Sequence, residues 1–389
     1  MIGDVPPLGA TPPTDFQRRA RARGALAVRW LERSIEACGG AGSAAFSSRL
    51  FRFPGGWDHP YPETTGYLIP TLVAWARRTG EDRWRDLALR QADWVASLEG
   101  PGGWLPGGTL RPGRTPEPSV FNTGQMLFGL VTAWDETGRA EYLDVAHRAA
   151  TWLAEGVDAD AGIWVDHSYV AGFSPSYYAR VAWPMLEVER RRPDPVVRDA
   201  AVRVLDTIAD RQRDDGSVAD WGFRPDRPAF THTIAYTIRG LLESGRLLGA
   251  DGERFVDVAD RAATAVRRRA DLRGAVAGTY GDGWRGDYRY RCVTGSCQLA
   301  IAWIRLAEAR GDERYVSTAI KAVERSMADQ RTRTLDPVVR GAIPGSAPRV
   351  GRYLFLRYPN WATKFFVDAV LVADVHLDRL LEEGPCASP

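Results

Sequence analysis

NTGQMLFGLVTAWDETG, residues 122–138, runs into RAEYLDVAHRAATWLAEG, residues 139–156. Apolar residues recur at intervals of three and four in both halves, and the Thr-Gly pair between them is a helix stop, so the stretch reads as two amphipathic helices in a hairpin. TTGYLIPTLVAWARRTG with EDRWRDLALRQADWVASL, residues 64–98, has the same form. So does VTGSCQLAIAWIRLAEARG with DERYVSTAIKAVERSMADQ, residues 293–330. Fainter copies begin at Ser174 (SPSYYARVAWPMLEVERRR with DPVVRDAAVRVLDTIADRQ) and at Thr231 (THTIAYTIRGLLESGRLLG with a helix through residues 257–269). Five hairpins therefore recur at a period of about 60 residues.

The two ends of the chain supply a sixth. DFQRRARARGALAVRWLERSIEAC, residues 15–38, is charged as an outer helix would be, whereas NWATKFFVDAVLVADVHLDRLLEE, residues 360–383, begins like an inner one. Neither can bury its apolar face alone, so pairing them closes a ring of twelve alternating helices, an all-α (α/α)6 toroid. The expected boundaries are a disordered lead over residues 1–14, a single toroid domain over 15–384 and a tail over 385–389.

Composition agrees with one ring. The 389 residues are 44% hydrophobic, enough for a core, and no Pro/Ser-rich linker interrupts the hairpins. A net charge of +2 gives no electrostatic case for nucleic acid or an acidic membrane. Residues 1–15 lack the basic start and apolar run of a signal peptide, and no stretch is apolar for long enough to span a bilayer, so a cytoplasmic protein is the default expectation. Cys38, Cys292, Cys297 and Cys386 show no paired CxxC spacing, so neither a metal site nor a disulfide framework is expected, and no cofactor is called for.

The joints are asymmetric. Inner-to-outer connections are minimal, as at Gly80–Glu81 and Gly138–Arg139, while outer-to-inner connections are long: residues 39–63, 99–121, 157–173, 214–230, 270–292 and 331–359. All six long loops must emerge where the inner helices begin, around one central cavity. The free N–H groups of those helices also favour an anion there.

The long loops carry unusual residues. The first offers Trp57, Asp58, His59, Tyr61 and Glu63, and the third offers Asp166, His167 and Tyr169, with Tyr177 just beyond. The fourth leads to His232 and Tyr236, the fifth contains Trp284, Asp287, Tyr288, Tyr290 and Arg291, and the sixth ends in Arg357, Tyr358 and Trp361. Aromatic platforms beside carboxylates, guanidinium groups and amides suit sugar rings, which pair an apolar face with a rim of hydroxyls. Candidate catalytic groups are Asp58, His59, Glu63, Asp166, His167, His232, Tyr236 and Tyr290. The remaining residues, with Asn122, Gln125 and Arg180 on inner-helix starts, are candidate substrate contacts.

Each has a plainer reading. Trp104, Trp164 and Trp221 read as plugs between hairpins, and His147 and His376 as surface or core residues. Asp58 and Asp166 serve equally well as turn caps, Asn122 as a helix N-cap, and a buried Arg180 as half of an ion pair. The functional reading requires Asp58, His59, Asp166, His167, His232 and Tyr290 to share one mouth.

The TG-stopped hairpins, YLDxA-type outer helices and GGW-type loops resemble the six-hairpin glycosidase superfamily, which includes unsaturated glucuronyl hydrolases. The segments YPETTGYLIPTL, FNTGQ, YYARVAW, HTIAY and GAIPGSAPRVGRYLFLRYPNWATKFFVDAVL further resemble uncharacterised proteins that accompany polysaccharide-biosynthesis enzymes. The resemblance implies the toroid fold and a glycan setting without fixing a reaction. The expectation is an enzyme acting on a uronate-containing glycan, cleaving a glycosidic bond by general acid/base chemistry as hydrolase or uronate lyase. Alternatives are a uronate carbon-5 epimerase, an isoprenoid toroid enzyme and a non-catalytic glycan-binding protein. The isoprenoid reading lacks its DxDD-like acidic run and its Asp, Cys and His zinc set.

Overall fold

The computed structural model describes residues 5–9, 12–51 and 53–383. Among these residues, twelve α-helices alternate between an outer and an inner layer. The inner layer consists of α2 (Pro62–Thr79), α4 (Val120–Thr137), α6 (Ala179–Glu189), α8 (Thr231–Leu248), α10 (Val293–Arg310) and α12 (Asn360–Glu383). Each packs on the next, and α12 returns to α2, closing the ring. Behind them stand α1 (Asp15–Glu36), α3 (Asp82–Ala96), α5 (Ala140–Glu155), α7 (Pro195–Ala209), α9 (Glu253–Arg273) and α11 (Arg314–Asp329). The (α/α)6 toroid expected from the repeat is the observed fold, and α1 and α12 form its sixth hairpin.

The two layers bury their residues differently. Outer helices bury one stripe, as α11 does with Tyr315, Ala319, Ala322 and Val323, whereas α4 is buried on almost every side. Inner helices can stand this close because small residues sit where they touch. A Cβ added to Gly66 of α2 would lie 2.6 Å from the Met126 Cα of α4, and one on Gly124 of α4 would lie 2.7 Å from the Val181 Cγ1 of α6. The threonine before each glycine anchors a long loop. Thr65 Oγ1 accepts from the Ser43 N–H (2.9 Å), and Thr123 Oγ1 accepts from the Leu105 N–H (3.0 Å) and donates to the Leu105 carbonyl (2.9 Å).

The long loops are also tied to one another by two-residue antiparallel pairs that the sequence did not disclose. β1 (Phe46–Ser47) pairs with β6 (Tyr358–Pro359), β2 (Ala229–Phe230) with β3 (Thr279–Tyr280), and β4 (Arg291–Cys292) with β5 (Ser346–Ala347). These pairs link the first loop to the sixth, the fourth to the fifth, and the fifth to the sixth, holding the mouth of the ring as one collar.

The expected disordered lead is corrected over its described part. Val5 is buried against the core, and Arg78 Nη1 donates to the Pro6 and Pro7 carbonyls at 3.2 and 3.0 Å. The proline carbonyls give Arg78, already paired with Asp374 and Asp378, its remaining acceptors. The expected tail over 385–389, including Cys386, lies outside the described residues, as do residues 1–4, 10 and 11 of the lead.

Candidate active site

A cavity of about 510 Å³ opens at the end of the ring where the inner helices begin. Five of the six long loops and the first turns of four inner helices line it. Its aromatic wall is continuous: Phe121 meets Tyr177 at 5.2 Å between ring centres and Tyr236 at 5.4 Å, Tyr177 meets Phe223 at 5.7 Å, and Phe46 meets Trp361 at 4.9 Å. Tyr169, 72% exposed, stands at the entrance 6.0 Å from Phe223.

Glu63 is the carboxyl group of this wall. The chain enters α2 through Tyr61 as N-cap and Pro62 at the first helical position, which places Glu63 in the opening turn. The Tyr61 hydroxyl donates to Glu63 Oε2. With its amide oriented so that each atom meets a complementary partner, Asn122 donates to Glu63 Oε2 (3.3 Å) and Ser119 Oγ (3.2 Å) and accepts from the Gly108 N–H (3.1 Å). Burial pushes the Glu63 carboxyl up to about 7, against the opposing pull of Tyr61, Arg180 and Tyr67. At neutral pH it is therefore divided between acid and base.

His232 faces the same cavity from α8, three helices away around the ring and so diametrically opposite α2. Gln298 Nε2 meets His232 Nδ1 at 2.6 Å; with the amide donating, the imidazole carries its proton on Nε2. Burial, reinforced by Arg180, pulls this histidine down to about 3, so it is neutral at pH 7. Its ring lies 4.3 Å from that of Tyr236, whose hydroxyl is buried without a hydrogen bond of good geometry, as is that of Tyr67. Both phenols are close enough to Glu63 for its charge to raise their titration.

Beneath the floor lies a charged layer. Arg180 Nε donates to Gln125 Oε1 (3.1 Å), Gln125 Nε2 donates to the Arg180 carbonyl (3.0 Å), and the guanidinium sits among the rings of Phe128, Tyr236, Trp183 and Phe365 at 5.0 to 5.5 Å. Lys364 Nζ meets Asp368 Oδ2 at 2.5 Å, and Thr71 donates to Asp368 Oδ1 at 2.7 Å. Among the described residues Arg180 has no ion pair within 4.0 Å, and its Nη1 is buried without a hydrogen-bond partner. Its charge acts through space on Glu63 and Tyr236.

Of the residues read from sequence, Glu63, Tyr61, Asn122, Tyr169, Tyr177, His232, Tyr236 and Trp361 come together in the cavity. Gln125 and Arg180 lie under it and do not line it, which corrects their reading as substrate contacts. Of the six groups required to share one mouth, only His232 is there. Asp58 caps its own turn, accepting from the His59 N–H at 2.8 Å, while the His59 carbonyl accepts from Ala45. Asp166 and His167 are exposed, with the His167 ring 5.6 Å from Trp152. Trp57 leans on Trp30. The fifth loop contributes nothing, because its side chains are spent on structure: Trp284 donates to the Asp215 carbonyl and abuts Trp221, Asp287 pairs with Arg289, and Arg291 pairs with Asp329. Tyr290 is buried against Gly278, and Tyr288 lies beside Tyr280. In the sixth loop Arg357 stacks on Phe51, and Tyr358 is buried with its hydroxyl accepting from Arg349.

Sequence reasoning did not single out Phe46, Ser119, Phe121, Phe223, Arg224, Arg227 and Phe230 as site residues, yet all line the cavity, as does Tyr353 of the aromatic GRYLFLRYPNW run. A positional signal existed. Glu63, Phe121 and Trp361 each stand two residues before a threonine that fastens a long loop, Thr65, Thr123 and Thr363.

A recess at the opposite end, about 580 Å³, is lined by guanidinium and carboxylate groups that pair with each other, such as Arg191 with Glu187 and Arg305 with Glu308. Its charges are satisfied internally, unlike those around Glu63. Among the described residues, no three His, Cys, Asp or Glu side chains assemble as metal ligands would, and no helix is long and apolar enough to cross a membrane.

The architecture and the position of its cavity place the chain among the (α/α)6 toroids that open a loop-built mouth at the start of the inner helices. Solved structures with this fold include an unsaturated glucuronyl hydrolase specific for heparin (TM-score 0.71, 14% identity, covering 94% of this chain and 99% of that one). Also similar are the cellobiose 2-epimerase of Bacillus thermoamylovorans (TM-score 0.73, 11% identity, 91% and 98% covered) and an α-mannanase of Bacteroides thetaiotaomicron (TM-score 0.63, 11% identity, 95% and 98% covered). No protein-family model and no curated protein matches the sequence.

Proposed function

We propose that this protein is a carbohydrate-active enzyme that acts on an acidic, uronate-containing glycan by proton transfer through Glu63. The observation that carries the reading is Glu63 itself: a buried carboxyl poised near neutrality, hydrogen-bonded to a phenol, and the one carboxyl group among the described residues that line the cavity. Hydrolysis by a carboxylate pair needs a second such group facing the sugar, so the inventory favours abstraction of the proton at carbon 5. Ionised Glu63, held by the Tyr61 hydroxyl, takes that proton, and the neutral donors His232 and Tyr236 hydrogen-bond the charge that develops on the sugar carboxylate. Arg224 and Arg227 bring positive charge to the mouth to meet that carboxylate. Cleavage then follows as elimination: the electron pair of the broken carbon 5–hydrogen bond becomes the double bond between carbons 4 and 5, the bond from carbon 4 to the departing oxygen breaks with its electron pair leaving on that oxygen, a phenol proton neutralises it, and the proton held by Glu63 then restores the phenol. The placement of Glu63 and His232 on opposite helices also favours a second outcome, return of a proton from the other face, which is epimerisation.

A panel of uronate-containing glycans incubated in heavy water tests the reading. New ultraviolet absorbance from a double bond identifies elimination, deuterium uptake without cleavage identifies epimerisation, and reducing ends without a double bond identify hydrolysis. Glu63→Gln should lower the rate by about 10² to 10⁴. No reaction on any member, or full activity in Glu63→Gln, overturns the proposal. The neighbouring structures that carry sugar-processing names support a carbohydrate setting, and the cytoplasmic location belongs to the same proposal.

A further inference from the structure

A second recess adjoins the cavity through Gly108, which lines both. It encloses about 440 Å³ within the second long loop and is lined by residues 107–111 and 114–117. The loop holds its shape by backbone bonds: the Gly107 N–H donates to the Glu117 carbonyl (2.8 Å), the Leu110 N–H donates to the Pro60 carbonyl of the first loop (2.9 Å), and Pro106 bridges Pro118. Its floor is continuous with the catalytic wall, since the Gly108 N–H bonds the Asn122 amide that faces Glu63.

The charge in this recess is unbalanced. Arg111 and Arg114 both line it, against the single carboxylate of Glu117. Arg111 Nε donates to Thr109 Oγ1 at 3.2 Å, and its Nη2 lies 3.6 Å from Asp58 Oδ1, too far for a good hydrogen bond. Arg114 has no carboxylate within ion-pair distance among the described residues. A cationic recess one amide away from an acid–base carboxyl is the complement of a chain that repeats its negative charge.

We propose that this recess is a second subsite, which holds an anionic sugar unit next to the one presented to Glu63. The proposal rests on the functional reading above and extends it to the substrate: an acidic oligosaccharide or polymer is engaged through more than one charged residue. Because exposed ion pairs are screened by salt, the contribution of this subsite should weaken as ionic strength rises.

Calorimetric binding of hyaluronan and galacturonan hexasaccharides, compared with glucuronate and galacturonate, provides the test. One hexasaccharide should bind more tightly than its monosaccharide, by about tenfold at low salt. Arg111→Ser/Arg114→Ser should remove most of that advantage, about fivefold, without changing monosaccharide binding. Arg114→Glu, at an exposed position that leaves folding intact, should weaken the hexasaccharide further. A monosaccharide that binds as well as its hexasaccharide, or a double variant that binds both as before, overturns the subsite while leaving the Glu63 reading standing. Failure of all four ligands to bind overturns both.

Discussion

Tyr61 donates its hydroxyl hydrogen to Glu63 Oε2 at 2.5 Å, which joins the last residue of the first long loop to the opening turn of α2. The bond stabilises the ionised carboxylate that burial disfavours, and Arg180 acts in the same direction from below. Tyr61→Phe and Arg180→Met should each raise the titration midpoint of Glu63. Carbon-13 NMR of labelled glutamate side chains, with Glu63→Gln to assign the resonance, reads the midpoint without a substrate. A midpoint that falls or stays put in both variants would remove these two groups as its controllers.

The same carboxyl links stability to pH. Its folded value near 7 lies above the ordinary 4.5, so the folded state holds a proton that the unfolded chain has released between those values. Stability should therefore fall as pH rises from 4.5 to 7 and level off above that. Relative to Glu63→Gln, the wild-type protein should lose on the order of a few kcal/mol across this window. Urea unfolding of both proteins at pH 5 and pH 8 measures the difference. Parallel pH profiles would contradict it.

His232 predicts the opposite slope. Its folded value, near 3, lies below the ordinary 6.5, so the unfolded chain binds a proton that the folded protein refuses. The stability tied to its neutrality is present above pH 6.5 and is lost as pH falls towards 3. His232→Asn should flatten the acid side of the profile relative to wild type. An acid slope unchanged in the variant would show that the imidazole becomes protonated without unfolding.

The close contacts of the inner ring set a steric limit. Gly124→Ala would push a methyl group to 2.7 Å from Val181 Cγ1 and 3.1 Å from its Cα, so α4 and α6 must separate. A loss of about 1–3 kcal/mol is expected in denaturant unfolding. Gly138→Ala acts by a different route, since Gly138 closes α4 with φ 68° in open space; there the cost is backbone strain of about 1 kcal/mol.

The ring was legible because helical periodicity and helix stops are local, and because a terminal helix with an unburied face needs a partner. Even the roles of α1 and α12 could be read this way. The site was legible only in part. Glu63, His232 and Tyr236 sit in or near the first turns of inner helices, whose direction the toroid dictates, and these positions were identified. Asp58, His59, Asp166, His167 and Tyr290 lie on loop backbone whose course depends on pairings such as β2 with β3, which short segments do not encode. Composition suggested catalysis in the fifth loop, but packing against Trp221 and capture of Arg289 determine where its aromatic and charged residues go. The recurrent Thr-Gly at inner-helix starts was visible throughout. Its meaning, a hydroxyl for the loop and an absent side chain for the neighbouring helix, emerges once the helices are placed.

The position of α12 between α10 and α2 also ties the cavity to the seam that closes the ring. Trp361, one wall of the cavity, lies in the first turn of α12, and β6, which fastens the first long loop, immediately precedes it. The element that covers the flank of α2 therefore also holds the loop that delivers Tyr61 and Glu63. Any loosening of this one seam would bare that flank and release that loop together, so the wetting of Glu63 reports on ring closure.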